Sequence, residues 1–316
     1  MPRLGLGVYQ LRGEECFAAC LAGLEAGYRH IDTAQLYGNE EQVGRAVGVF
    51  LRRREEVLSG RRGRVKREDL FLTTKVGRWE GDGEKMYESV LRSVMRVAGE
   101  EEGGYVDLVL VHRPVARWRD IWSVLGRLVR EGRARAIGVS NFGIGALEEM
   151  KKVWEGVMPC VNQIEPWCQQ RELVAYCQQN GIVVQAYSPL ARGQRWTDPV
   201  LREVVERVRR RIGVGVREEP IPVSGRWVAG TNDDPQDRDT AVTKIREITE
   251  ATVTPAQVLI RWSLQRGYVP LPKSADAERI RENGDVFWFK LDEVEMGMLD
   301  GLDLGAAGAL FPKNVS

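Results

Sequence analysis

Histidine is nearly absent: the 316 residues hold two, His30 and His112, so a histidine-rich metal site cannot be assembled and no metal is expected. Cysteine is scarce and odd in number. Cys16, Cys20, Cys160, Cys168 and Cys177 show no C-x-x-C spacing, and no charged-then-apolar leader follows Met1, so neither a disulfide framework nor secretion is expected. Charge of one sign is lacking too. With 46 Lys+Arg against 45 Asp+Glu the net charge is +1, which leaves no broad basic footprint for nucleic acid. No stretch approaches the roughly 18 to 20 apolar residues of a membrane helix. What remains is an ordinary globular composition, 43% apolar and 29% charged, expected to be soluble, cytoplasmic and partnered by a small molecule.

The chain alternates short β-branched apolar runs with amphipathic stretches about eight times. Strands are predicted at Leu4 to Val8, Arg29 to Thr33, Leu70 to Val76, Val106 to His112, Ala134 to Ser140, Cys160 to Ile164, Ile182 to Tyr187 and Val269 to Pro272. Between the first two, Cys16, Phe17, Cys20, Leu21 and Leu24 fall on one face at helical spacing. Such alternation means a parallel sheet with crossover helices, either an open doubly wound sheet or a closed barrel. A count of eight is what closure needs. The open-sheet signatures are missing: Gly5-Leu6-Gly7 runs on to Gln10 where a dinucleotide fingerprint requires glycine, and none of the eight tyrosines has lysine four residues on. The expected fold is therefore an α/β barrel of eight βα units, one domain spanning 1–316, and a monomer by default.

Two segments interrupt the rhythm. The basic run at 51–68, diluted by Glu55, Glu56, Glu68 and Asp69, reads as a solvated surface loop. The second spans 192–252, with a basic helix near Asp198 to Ile212 followed by a Gly/Pro/Asp-rich stretch, in the position where barrels build substrate lids.

Asp32, Lys75 and His112 each end an apolar run, in HIDTA, FLTTK and LVLVH. All three are thus expected on the carboxyl-end face of the barrel, where barrel enzymes place their active sites, with Tyr37 in the following loop, LYGNE. A phenol with an ordinary pKa of roughly 10 is a poor acid or base unaided. A Lys75 ammonium beside it would favour the phenolate and lower that pKa, Asp32 would keep the lysine charged, and a neutral His112 could donate to a carbonyl oxygen. Each also has a plainer reading, Asp32 as a helix cap and Lys75 as a solvent charge. His30 is expected to be structural, deeper in its strand than Asp32.

The order LGLGVYQL, YRHIDTAQLYGNEEQVGRA, DLFLTTKV, VDLVLVHRP, IGVSNF, VNQIEPW, VVQAYSPLARG and VPLPKSADAERIREN resembles the aldo-keto reductase family from Leu4 to about Leu302. The resemblance implies a barrel that binds a nicotinamide dinucleotide and transfers hydride to an aldehyde or ketone. It assigns Asp32, Tyr37, Lys75 and His112 as the catalytic four, the same residues that the spacing selects. Tyr37 would be the acid in reduction and the base in alcohol oxidation. Histidine rather than glutamate at 112 is similar to the carbonyl-reducing branch.

The same resemblance implies cofactor positions. Gly7 and Val8 follow the first strand; Ser140, Asn141 and Gln163 would hold the nicotinamide carboxamide; Tyr187 would stack on its ring. Ser188, Leu190 and Arg192 fall in the pyrophosphate loop. Lys273, Ser274 and Arg279 match the contacts of an adenosine 2′-phosphate, with Glu282 and Asn283 beside the adenine, so NADPH/NADP+ is implied over NADH. A lysine, a hydroxyl and a guanidinium suit a phosphate dianion physically.

For the substrate, Tyr9 and Trp79 could form an aromatic wall, Trp79 could equally pack under a loop, and Arg113 replaces the aromatic residue often found after the histidine. The chain starts directly before its first strand where relatives usually have a hairpin. Two rivals to a general carbonyl reductase stay open: a biosynthetic reductase or alcohol dehydrogenase dedicated to one metabolite, and a cofactor-binding regulatory subunit docking through 51–68.

Overall fold

A computed structural model describes residues 1–57, 65–99, 104–152, 161–164, 168–213 and 252–310. Eight strands alternate with helices: β1 Leu6–Gly7, β2 His30–Asp32, β3 Phe71–Val76, β4 Val106–Val111, β5 Ala134–Val139, β6 Val161–Ile164, β7 Val183–Tyr187 and β8 Val269–Leu271. The helices are α1 Gly13–Glu25, α2 Glu40–Val57, α3 Gly83–Ala98, α4 Trp118–Arg130, α5 Ile144–Lys151, α6 Arg171–Gln179, α7 Pro199–Ile212, α8 Pro255–Gln265, α9 Ala277–Gly284 and α10 Glu293–Asp300. Strands β1 to β5 pair in parallel and in order, as do β6 to β8. β5 lies beside β6. The seam from β8 to β1 is closed by backbone bonds from Gly5 N–H to the Pro270 carbonyl (3.1 Å) and from Gly7 N–H to the Pro272 carbonyl (3.0 Å). The chain is a βα barrel, and each predicted strand is present at its predicted place.

Strand alternation sorts every second residue inward. On β4, Leu108 and Leu110 join Val183 and Val269 in a cluster inside the barrel, while Val109 and Val111 pack with the helices. On β3, Phe71 borders the inner cluster and Thr73 bonds His30, whereas Leu72 and Val76 join the outer core. The same parity turns Asp32, Lys75 and the residue after β4, His112, toward the barrel axis at its carboxyl end. The helical coat is built on α1 as predicted, with Cys16, Cys20 and Leu24 buried and Phe17 and Leu21 half-buried beside them. Asp198 caps α7 by accepting from the amides of Val200 (2.9 Å) and Leu201 (3.2 Å), and Pro255 opens α8 behind the capping box of Thr254 and Gln257.

The 51–68 segment departs from the expected loop at both ends. Helix α2 continues to Val57, because Phe50 is buried and Leu51 half-buried on its inner face and Arg53 reaches Glu25 of α1 (3.0 Å). Arg67 is no solvated charge either. Its guanidinium binds buried Asp107 (2.9 Å) and the Tyr105 carbonyl (2.8 Å), and Asp107 also accepts from the Leu72 amide (3.0 Å) and Arg135 (3.1 Å). Residues 58–64, and 214–251 of the second interruption, lie outside the described residues. No described helix is long and apolar enough to cross a membrane.

Candidate active site

The carboxyl end of the barrel opens into a cavity of about 1240 Å³. Three of the predicted four, Asp32, Tyr37 and His112, line it, and Lys75 is bonded to two of them. Lys75 is fully buried and donates three hydrogen bonds, to Asp32 Oδ1 (2.5 Å), to the Thr33 carbonyl (2.9 Å) and to Tyr37 Oη (3.3 Å), so each ammonium proton has an acceptor. Tyr37 is delivered by the 3₁₀ turn Gln35–Tyr37, closed by Gly38 in the left-handed region (φ 67°) and pinned to α3 through Gln35 Nε2 and Ser89 Oγ (3.0 Å). The His112 ring stands edge-on to Tyr37, centroids 5.8 Å apart, and its side chain has no protein partner among the described residues. Gly77 makes room for it, since a Cβ there would lie 3.0 Å from His112 Cβ.

Electrostatics divide the roles. Burial, helped by the charges of Lys75 and Arg113, lowers the His112 pKa to about 3, so the ring is neutral and keeps one N–H to donate. Burial alone pulls Lys75 down, but Asp32 and Tyr37 together outweigh it and leave the ammonium above its ordinary range. For Tyr37 the outcome corrects the sequence expectation. Lys75 does act to lower the phenol's pKa, yet burial acts more strongly and the net shift is upward. The phenol therefore holds its proton through neutral pH, the state of an acid ready to donate.

Asn39 was not singled out from the sequence. It is fully buried, donates to the carbonyls of Val8 (2.9 Å) and Leu11 (2.9 Å), and accepts from the Thr33 hydroxyl (2.6 Å). One amide thus fastens the loop carrying Tyr9 to the residue whose carbonyl holds Lys75. Glu40 is buried against Thr74 (2.5 Å), on the outer side of β3. Trp196 also lines the cavity, arriving from the β7–α7 loop. The sequence signal for the first pair is the N-E that follows Tyr37.

The same cavity is lined by most of the remaining predicted positions. Gly7, Ser140, Asn141, Tyr187, Ser188, Leu190, Arg192, Lys273, Ser274, Arg279, Glu282 and Asn283 all belong to its lining. Asn141, in the left-handed region (φ 61°), donates to the His112 carbonyl (3.0 Å) and accepts from Tyr187 Oη (3.1 Å), locking the ends of β4, β5 and β7 together. Two positions differ. Val8 is outside the lining, its side chain fully buried in the apolar core, and Gln163 lies on β6, whose side chains fall outside the described residues. Ser274 spends its hydroxyl on the Asp276 amide (3.0 Å), which starts α9.

The profile of the aldo/keto reductase family matches residues 3–304. The chain belongs to the aldo/keto reductase family. It is 35% identical to methylglyoxal reductase of Escherichia coli (strain K12) over 311 residues, covering 96% of this chain and 90% of that one. It is 34% identical to glyoxal reductase of Bacillus subtilis (strain 168) over 307 residues, covering 96% and 89%. Among solved structures, an aldo/keto reductase from Brucella melitensis superposes with a TM-score of 0.71 at 32% identity, covering 96% and 95%. A Bombyx mori aldo-keto reductase in complex with NADP does so with 0.71 at 28%, covering 96% and 89%. Membership fixes the reaction class, an oxidoreductase acting on small-molecule carbonyl compounds with a nicotinamide cofactor.

In this aldo/keto reductase the mouth above the four is aromatic. The Tyr9 ring, on a residue 39% exposed, lies 4.9 Å from the Tyr37 ring and carries the Arg192 guanidinium 5.5 Å from its own centroid. Trp79 lines the cavity and also packs against the core under the Arg117 guanidinium (4.8 Å). Arg113 is exposed on the rim.

Proposed function

We propose that this protein is an NADPH-dependent reductase that converts an aldehyde or ketone to the alcohol, reversibly, with Tyr37 as the proton donor. The observation that carries the reading is the Lys75 ammonium, buried and bound to both Asp32 and Tyr37, which line a cavity that Lys273 and Arg279 also line. The bound nicotinamide supplies hydride to the carbonyl carbon.

The residues present fit that cofactor. Asn283 is buried, yet its amide has no partner among the described residues and borders the cavity, a polar group left open to a ligand. Lys273 is exposed and has no ion pair among the described residues, and Arg279 stands 4.0 Å from Asp276, too loose to satisfy its fork. These would meet the 2′-phosphate, with Ser188, Leu190 and Arg192 along the pyrophosphate. Ser140, Asn141 and Tyr187 would orient the nicotinamide.

His112, neutral, donates its N–H to the substrate oxygen and orients it toward Tyr37 Oη. Tyr37 passes its proton to that oxygen as charge builds. Lys75, held charged by Asp32, stabilises the phenolate left behind. In the reverse direction the phenolate takes the alcohol proton, so oxidation gains as pH rises and Tyr37 deprotonates, while reduction loses. Because His112 stays uncharged far below neutrality, kcat/KM for reduction is expected to show no break near pH 6.5.

The double substitution Lys273→Ala with Arg279→Ala tests the cofactor assignment. It should raise the Kd for NADPH at least ~10-fold, the loss of charge-assisted phosphate contacts, and change that for NADH little. Equal weakening for both cofactors would overturn the 2′-phosphate assignment.

A further inference from the structure

The proposed cofactor contacts account for Lys273, Arg279 and Arg192, but not for two further arginines of the cavity lining. Arg78 follows β3 and Arg113 follows His112; both line the cavity and both are exposed. Neither has an ion pair or hydrogen bond among the described residues. Nearby arginines behave differently: Arg117 pairs with Asp120 (2.5 Å), Arg119 with Glu149 (3.0 Å) and Arg127 with Glu84 (2.8 Å). These three arginines find carboxylates, while the two that line the cavity have none among the described residues.

Their placement relative to the chemistry is fixed by a close backbone approach. Gly77 sits against His112, with only 3.0 Å to spare for a Cβ, so the residues that follow each, Arg78 and Arg113, leave the rim from neighbouring points beside the imidazole. Glu80, two residues after Arg78, lines the same cavity, and the Asp32 carboxylate beside His112 is already balanced by Lys75. Two guanidiniums against one carboxylate give a local excess of one positive charge, which a monoanion balances. Guanidinium forks match a carboxylate in geometry, and a charged mouth concentrates ligands of opposite sign.

We propose that Arg78 and Arg113 select carbonyl substrates bearing a carboxylate, so that the preferred class is oxo acids, with the carboxylate held at the rim and the carbonyl oxygen at Tyr37 and His112. The assignment rests on the reductase reading of the site. Tyr9 and Trp79 would flank the carbon skeleton between the two ends.

A matched pair of substrates tests it: 4-carboxybenzaldehyde and its methyl ester, methyl 4-formylbenzoate, which share a ring and an aldehyde and differ in one charge. With saturating NADPH, the wild-type enzyme is expected to favour the acid in kcat/KM at least ~10-fold, through KM, and added salt should erode that preference. In the Arg78→Leu, Arg113→Leu double variant the acid-to-ester ratio should fall by the same factor, each single variant lying between. Turnover of both compounds with a ratio that does not differ between wild type and double variant would overturn the assignment to these arginines. Turnover of neither by folded, NADPH-binding protein would overturn the reductase reading beneath it.

Discussion

Replacing Tyr37 by phenylalanine is expected to reduce carbonyl reduction by at least ~10²- to 10⁴-fold, the range that a positioned general acid contributes, and to leave the Kd for NADPH nearly unchanged. The reasoning is local. Among the described residues the hydroxyl makes one hydrogen bond, from Lys75 at 3.3 Å, while the ring is held independently by the Gln35–Tyr37 turn and by Tyr9 at 4.9 Å. Phenylalanine keeps the ring and removes only the proton donor, so the loss should appear in kcat and in kcat/KM together. Stopped-flow absorbance of bound NADPH separates binding from turnover. Parental turnover by the variant would mean that another group supplies the proton.

Lys75→Met has two consequences with different readouts. It removes the charge that stabilises the departing phenolate, so reduction should fall by at least ~10²-fold, and the alkaline pH at which reduction declines should move upward because Tyr37 loses the cation that opposes its burial. It also strands Asp32, 4% exposed, without its cation. An uncompensated buried charge costs about 3–5 kcal/mol, visible as a lower urea midpoint. Adding Asp32→Asn should recover part of that stability without recovering activity. A double variant as active as the parent would show that the ion pair is only structural.

The proposed catalytic set was legible because strand ends are legible. HIDTA, FLTTK and LVLVH each put one polar side chain just past an apolar run, and parity then decides that Asp32, Lys75 and His112 share the inner surface with Leu108 and Leu110. The eight strands were legible for the same reason. The Tyr37 pKa was not, because it depends on how far burial outweighs one nearby cation, a balance of opposing quantities with no sequence pattern. Asn39 and Glu40 read locally as a loop amide and a helix-start acid; their burial follows from carbonyls and hydroxyls supplied by Val8, Leu11, Thr33 and Thr74, which only the closed barrel brings together. The end of α2 was misread because its charges suggested a loop, while Phe50 and Leu51 give the helix an apolar face to keep. Val8 shows the opposite error. A position taken from resemblance as a cofactor contact is turned into the core by the parity that places Gly7 and Tyr9 at the cavity.

The most direct test of the central claim is the loss of NADPH absorbance at the nicotinamide band with purified protein and 4-nitrobenzaldehyde, an electron-poor and reactive carbonyl, followed by identification of the alcohol. The account predicts oxidation that requires both protein and aldehyde and yields one alcohol per NADPH consumed. Protein that is folded and binds NADPH, yet leaves it unoxidised with this aldehyde and with 4-carboxybenzaldehyde, would contradict it.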